Sequence, residues 1–243
     1  MNIVAIVQAR MGSTRLPGKV LKKIKNKYII DYVIDRLRIC KNLNNIVLAT
    51  TTSEKDNILE DFSIKKKLNI FRGDENDVLR RYFYAAKKYN ADIVIRVTSD
   101  CPLIDPWIVD RIINKHIDFG GDYTSNTIVR SYPRGLDVEV LNFNALEEAF
   151  KNANKKYQRE HVTPYIKENK DEFKLQSIEA QKKLKRPDIR ITLDTLEDFK
   201  FISIIINHFN DLYFKTEDVI DFLEERPHLL KINKHIKQKN IKE

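Results

Sequence analysis

Ile3-Val4-Ala5-Ile6-Val7-Gln8-Ala9-Arg10-Met11-Gly12-Ser13-Thr14-Arg15-Leu16-Pro17-Gly18-Lys19 sets an apolar run directly before a loop bearing glycine, hydroxyls and cations. Such a run reads as a strand buried on both faces, as in a parallel sheet. The loop it delivers offers free backbone N–H groups, the Ser13 and Thr14 hydroxyls, and the fixed charge of Arg10, Arg15 and Lys19. Together these make a cradle for phosphate groups. The stretch points to a nucleotide held through its phosphates; a basic, solvated surface turn is the other reading of the same residues.

Two common phosphate motifs are excluded. The P-loop places four residues between its glycines and a Ser or Thr after its lysine. Here five residues separate Gly12 from Gly18, and Val20 follows Lys19. The hydroxyl that would hold magnesium in an ATPase is missing, so carboxylates elsewhere must hold any Mg²⁺. The G-x-G-x-x-G dinucleotide fingerprint is absent too.

Outward from this stretch, short apolar runs alternate with amphipathic ones. Strands are expected at Ile3–Gln8, Ile46–Thr50, Ile70–Arg72 and Ile93–Thr98, and helices at Ile29–Cys40, Glu54–Lys66, Val78–Tyr89 and Pro106–Asp118. This β-α-β-α order predicts an α/β fold, Rossmann-like and doubly wound, with a mostly parallel sheet. Its ligand cleft lies at the carboxyl ends of the strands, where loops 9–19 and 98–105 should meet. The second half breaks the rhythm. Strands are expected at Asp122–Asn126, Gly135–Leu141, Phe173–Ser177 and Ile189–Leu193, and helices at Asn144–Asn152, Arg159–Glu168, Leu196–Phe209 and Glu217–Glu225. With no Gly-, Pro- or Ser-rich linker, one domain over 1–243 is expected, with a strand-containing insertion at about 122–180. In this glycine-poor chain Gly12, Gly18, Gly73 and Gly135 are expected to need unusual backbone angles or close ligand approach.

Composition sets the bounds. The chain has 243 residues, 42% apolar and 33% charged, enough for one large folded domain. No apolar run is long enough to span a bilayer. The N-terminus enters a strand without a basic, then apolar, leader, so a cytoplasmic location is expected. Neither Cys40 nor Cys101 sits in a zinc spacing; Cys40 continues an apolar helix face, and Cys101 is a small residue before Pro102. The formal charge of +9 would suit a nucleic-acid partner, and a non-catalytic nucleic-acid-binding protein is one alternative. However, part of the excess lies in a basic C-terminal helix or tail at about 228–243, with no aromatic residues interleaved for base stacking.

Five carboxylates and one histidine stand out. Asp100 follows the strand Ile93–Thr98 at the phosphate end, as a Mg²⁺ ligand or a turn residue. Asp105 precedes Pro106 and reads as a helix N-cap. Asp137 and Glu139 alternate with Leu136, Val138 and Val140, so they share a strand face and suit sugar hydroxyls, a second metal or solvent. His161 reads as a general base or a structural histidine. Asp194 ends a short strand, but Asp194-Thr195-Leu196-Glu197 also reads as a capping box opening the next helix.

The string Ala9-Arg10 … Ser13-Thr14-Arg15-Leu16-Pro17-Gly18-Lys19 resembles the opening signature of the CMP-sugar synthetases, notably CMP-KDO synthetase. It is closer to the cytidylyltransferases of spore coat polysaccharide biosynthesis. The resemblance continues through Asp77-Val78-Leu79 with Arg81-Tyr82, Asp100-Cys101-Pro102-Leu103-Ile104-Asp105, Pro133-Arg134-Gly135-Leu136-Asp137-Val138-Glu139-Val140, Arg159-Glu160-His161-Val162-Thr163-Pro164-Tyr165 and Asp194-Thr195 … Asp198, and fades after about residue 205.

It implies a fold of the nucleotide-diphospho-sugar transferase type and a CTP-dependent cytidylyltransferase. A sugar oxygen would attack the α-phosphorus of CTP and release pyrophosphate. Arg15, Lys19 and Asp100 would be catalytic, and Ala9, Arg10, Gly12, Ser13, Thr14, Asp77 and Arg81 would complete the nucleotide site. Asp100 and Asp194 would share Mg²⁺. Arg134, Asp137, Glu139, Arg159 and His161 would face the sugar acceptor. Where KDO synthetases carry a Gln-Gly-Asp-Glu-Pro type of segment, this chain has Val97-Thr98-Ser99-Asp100-Cys101-Pro102, so KDO itself does not follow. A sugar phosphate and a 2-keto-3-deoxy acid stay open as acceptors. A molybdenum-cofactor-type guanylyltransferase shares the loop logic. The resemblance also implies a homodimer.

Overall fold

The computed structural model describes residues 1–238. Strand β1 (Ile3–Gln8) lies inside a seven-stranded sheet. On one side stand β4 (Asn45–Thr51) and β5 (Asn69–Gly73); on the other, β6 (Ile93–Thr98), β8 (Glu139–Asn142), β7 (Tyr123–Ser125) and β9 (Leu175–Ser177). The pairings β5–β4–β1–β6 are parallel, β8 runs against both β6 and β7, and β9 returns parallel to β7. The segment at 122–180 therefore adds all its strands to the same sheet. A small hairpin of β2 (Lys23–Ile24) and β3 (Lys27–Tyr28) precedes the first helix; its runs are too short to show in the sequence.

Period-two alternation divides β1 between two cores. Ile3, Ala5 and Val7 face the layer built by α1 (Ile29–Leu37), α2 (Asn57–Lys65), α4 (Pro106–Phe119), α8 (Leu196–His208) and α9 (Thr216–Glu224). Val4 and Ile6 face the layer of α3 (Val78–Lys88), α5 (Phe143–Asn152) and α7 (Pro164–Glu168). The doubly wound expectation is met. Asp105 caps α4 as expected, accepting from the N–H groups of Trp107 and Ile108, with Pro106 in the first turn.

Three expected elements differ. The helix expected at Arg159–Glu168 is two, α6 (Lys156–His161) and α7, broken where Val162 takes φ 71° before Pro164. Proline lacks the N–H that would carry the helix through. The strand expected from Gly135 starts only at Glu139, so Asp137 precedes it and does not share its ladder. Ile189–Leu193 is not a strand; among the described residues its one β-bridge is the parallel pair of Arg134 and Arg190. Its next N–H, on Leu193, goes instead to the Asp100 carbonyl at 2.8 Å. Of the expected basic C-terminus, Pro227–Ile232 forms a 3₁₀ helix, Leu229 and Asn233 are buried, and residues 239–243 lie outside the described part. No helix among the described residues is long and apolar enough to cross a membrane.

The chain leaves β1 toward β4 and later returns to pair β6 on its other edge. That reversal is the switch point where doubly wound sheets bind ligands. The loops after β1 and β6 meet there, and the Ser99 N–H donates to the Gln8 carbonyl at 3.1 Å.

Candidate active site

A cleft of about 1500 Å³ opens over these strand ends. The loop after β1 forms its floor. Its fold is local: the Met11 carbonyl accepts from the N–H groups of Ser13 (2.9 Å) and Gly18 (3.2 Å). The Met11 N–H is anchored on the buried Asp56 carboxylate at 2.8 Å. Gly18 takes φ 65°, which glycine adopts without a Cβ clash, and starts the 3₁₀ turn that presents Lys19. Gly135 is also left-handed, at φ 110°, whereas Gly12 and Gly73 have ordinary φ.

Lys19 is the centre of the site. Its Nζ donates to Asp100 Oδ2 (2.7 Å), Asp194 Oδ1 (2.9 Å) and the Leu193 carbonyl (2.7 Å). Three acceptors satisfy all three ammonium donors. Burial opposes charge on Lys19, but the two carboxylates outweigh it and raise its pKa. Asp194 is likewise opposed by burial, yet Lys19, Arg190 and Arg15 hold its pKa below the ordinary carboxylate value. Arg15 reaches Asp194 Oδ2 at 2.9 Å. Thus Lys19, Asp100 and Asp194, separated by 81 and 94 residues along the chain, converge on one point. Asp194 is not the cap of α8; Thr195 is, with Asp198 completing the capping box. The side chain of Asp194 is thereby left for the cleft.

The far end of the cleft is built on β8 and α6. Glu139 is buried, ion-paired with Arg96 and Lys167, and accepts from Tyr123 and Thr163. Burial opposes its ionisation, but Arg96 and then Lys167 override that and push its pKa far below the carboxylate range. The solvated strand face open to Glu139 in the sequence is therefore not what forms. Asp137 makes a fork-to-fork pair with Arg130, at 2.8 and 2.7 Å, the strong geometry for guanidinium and carboxylate. Arg159 grips Asp77, which also caps α3 through the Arg80 N–H. Burial, then the neighbouring Arg130, lower the Arg134 pKa, and no ion pair to Arg134 is found among the described residues. Burial also keeps the His161 pKa below its ordinary value.

Of the residues expected in the site, Ala9, Arg10, Ser13, Thr14, Arg15, Lys19, Asp77, Arg81, Asp100, Arg134, Asp137, Glu139, Arg159, His161 and Asp194 all line this cleft; Gly12 does not. Arg81 contributes from below, its guanidinium largely buried and donating to the Asp74 carbonyl at 2.7 Å. Sequence reasoning missed Arg96, Arg130, Lys167 and Arg190. Two signals were available: an arginine inside the otherwise apolar run Ile93–Val97, and the alternation that puts Arg190 on the same face as Asp194. Cys101 is buried and its thiol pKa is pushed well up by burial and by Asp100, which suits packing rather than nucleophilic chemistry.

Gly135 fastens the two halves of the cleft. A Cβ there would lie 2.7 Å from the Ile191 carbonyl carbon and the Thr192 nitrogen. The contact runs beside the bonds from Arg134 N–H to Ile189 (2.9 Å) and from Ile191 N–H to Arg134 (2.8 Å). Gly135→Ala is expected to cost about 3 kcal/mol through strain and overpacking, lowering the melting temperature by roughly 6–12 °C in a circular-dichroism melt. An unshifted melt would refute this.

The doubly wound fold, the cation-bearing loop after β1 and the facing carboxylates Asp100 and Asp194 together point to the nucleotidyltransferase class. The chain belongs to the cytidylyltransferase family, whose model matches residues 4–240, and is a CTP-dependent nucleotidyltransferase. It is 37% identical over 209 residues to the spore coat polysaccharide biosynthesis protein SpsF of Bacillus subtilis, covering 84% of this chain and 86% of that one. An uncharacterised protein of Methanocaldococcus jannaschii is 40% identical over 243 residues, 100% of this chain and 99% of its own. The solved structure of a cytidylyltransferase from Leptospira borgpetersenii superposes with a TM-score of 0.91 at 33% identity, covering 99% of this chain and 100% of that one. The family match decides for cytidylyl over guanylyl transfer and against a non-catalytic nucleic-acid-binding role.

Proposed function

We propose that the protein transfers CMP from CTP to an acidic sugar or sugar phosphate, releasing pyrophosphate, in the synthesis of a surface polysaccharide or other glycan. The observation that carries this reading is the meeting of Lys19, Asp100 and Asp194 at the end of the β1 loop. Arg15 and Lys19 supply positive charge where the α-phosphate becomes more negative in the transition state. Ser13 and Thr14, which line the cleft, would face the β- and γ-phosphates. The polar groups around Arg130, Arg134 and Lys167 suit an anionic acceptor, and the SpsF likeness supports a polysaccharide role.

Asp100 and Asp194 fit a magnesium ion. Their carboxylates already flank one cation, the Lys19 ammonium. An ion held by these two carboxylates would take its other ligands from phosphates and water. Such an ion would neutralise the triphosphate and the leaving pyrophosphate. A homodimer and a cytoplasmic location complete the proposal; sedimentation equilibrium tests the first.

The test is pyrophosphate release with CTP, Mg²⁺ and a panel of sugar 1-phosphates and 2-keto-3-deoxy acids, with the product identified by mass. A CMP-sugar formed from one member is the expected result. No CMP-sugar from any acidic acceptor, with CTP shown to bind, would sink the acceptor assignment.

A further inference from the structure

The described C-terminus does not simply trail from the fold. Asn233 is 3% exposed and donates to the Arg190 carbonyl (3.0 Å) and to Asp198 Oδ1 (2.9 Å). Gln238 lines the cleft, and its Oε1 accepts from Arg190 Nη1 at 2.7 Å. Arg190 is the hinge of this arrangement. Its Nε donates to Asp198, and its Nη2 donates to both Asp198 and Asp194, the latter at 2.7 Å. Asp198, fully buried, also accepts from the Asp194 and Thr195 N–H groups, so its position is fixed by the start of α8. The guanidinium is planar, so fixing its Nε and Nη1 edges fixes the Nη2 that holds Asp194.

We infer that Asn233 and Gln238 are positioning residues for catalysis, setting the Asp194 carboxylate through Arg190. This makes the C-terminal segment part of the active site and rests on the reading of Asp194 as a residue that holds the divalent ion. Partners one step behind a metal-holding carboxylate control its orientation and typically shift affinity about 10–100-fold when removed. Gln238 is the informative position because it is exposed; its loss does not empty a core.

The test compares the full-length protein with Gln238→Met, which keeps length but removes the acceptor oxygen, and with Asn233→Ala. Mn²⁺ binding in the presence of CTP, without acceptor, is followed by electron paramagnetic resonance. The half-saturating Mn²⁺ concentration is expected to rise about tenfold in Gln238→Met, while its melting temperature stays within about 2 °C and KM for the acceptor is unchanged. Asn233→Ala should show at least as large a rise. Normal Mn²⁺ affinity in Gln238→Met overturns this inference alone. Absence of CTP-dependent Mn²⁺ binding in the unaltered protein overturns both it and the reading of Asp194.

Discussion

Replacing Lys19 with methionine should lower kcat by about 10²–10³-fold, the usual loss when one preorganised donor to a developing charge is removed. Methionine keeps the length of the stem and deletes the ammonium. In the free protein that ammonium joins Asp100 to Asp194, at 2.7 and 2.9 Å. Its removal leaves two carboxylates facing one another with only Arg15 and Arg190 in support of Asp194. The variant should therefore lose stability as well, and lose it in a pH-dependent way. In the unaltered protein the folded Asp194 pKa is lowered, so its contribution is present above the ordinary aspartate value of about 3.9 and is lost as pH falls through its folded value. The Lys19 pKa is raised, so its contribution is full below about 10.4 and is lost as pH rises through its folded value. The difference in stability between the two proteins should be greatest between those limits and shrink toward acid, where Asp194 protonates. Rapid-quench turnover and urea unfolding at several pH values measure both effects. Unchanged turnover would remove Lys19 from the mechanism.

Glu139→Gln should be the most destabilising of the single polar changes in the cleft. The carboxylate is buried and satisfied by Arg96, Lys167, Tyr123 and Thr163. Taking away one member of a buried ion pair leaves the other charge uncompensated and costs about 3–5 kcal/mol. That corresponds to a fall of roughly 6–20 °C in melting temperature for a chain of this size. Because the folded pKa is strongly depressed, the contribution of Glu139 is present above the ordinary glutamate value of about 4.3. It is lost only as pH falls toward the much lower folded value. The gap between the two proteins should thus persist down through pH 4. Denaturant unfolding gives the answer directly, and a loss under about 1 kcal/mol would mean that the pair behaves as an exposed one.

The first half of the fold was readable because its periodicities are clean: a two-sided apolar run at Ile3–Val7, then helices with well-marked starts such as Asp105-Pro106. The second half was harder for definite reasons. Leu136 and Val138 alternate with charged residues, yet no neighbouring strand pairs with them until Glu139. Ile189–Leu193 alternates as a strand does, but spends its N–H groups on Arg134 and Asp100 in place of a ladder. Within the site, the residues on short motifs were legible. Those whose role depends on a distant partner were not. Lys167 has meaning only beside Glu139, 28 residues away, and that pairing leaves no mark on local spacing; Arg190 does share the alternation that carries Asp194, but its grip on Asp198 and Gln238 shows only in the fold.

Most cations of the cleft already have a carboxylate of their own: Arg10 with Glu75, Arg130 with Asp137, Arg159 with Asp77, Arg96 and Lys167 with Glu139. A visiting anion is therefore not welcomed by idle charge; it must take a partner away from one that is already engaged. A lone sulfate or the backbone of an RNA strand brings nothing to give the abandoned carboxylates. On the proposed reading, a triphosphate accompanied by a divalent ion would offer a partner to both the cations and the carboxylates. Selectivity against stray polyanions would then be built into the ion pairs of the cleft, despite the basic character of the chain as a whole.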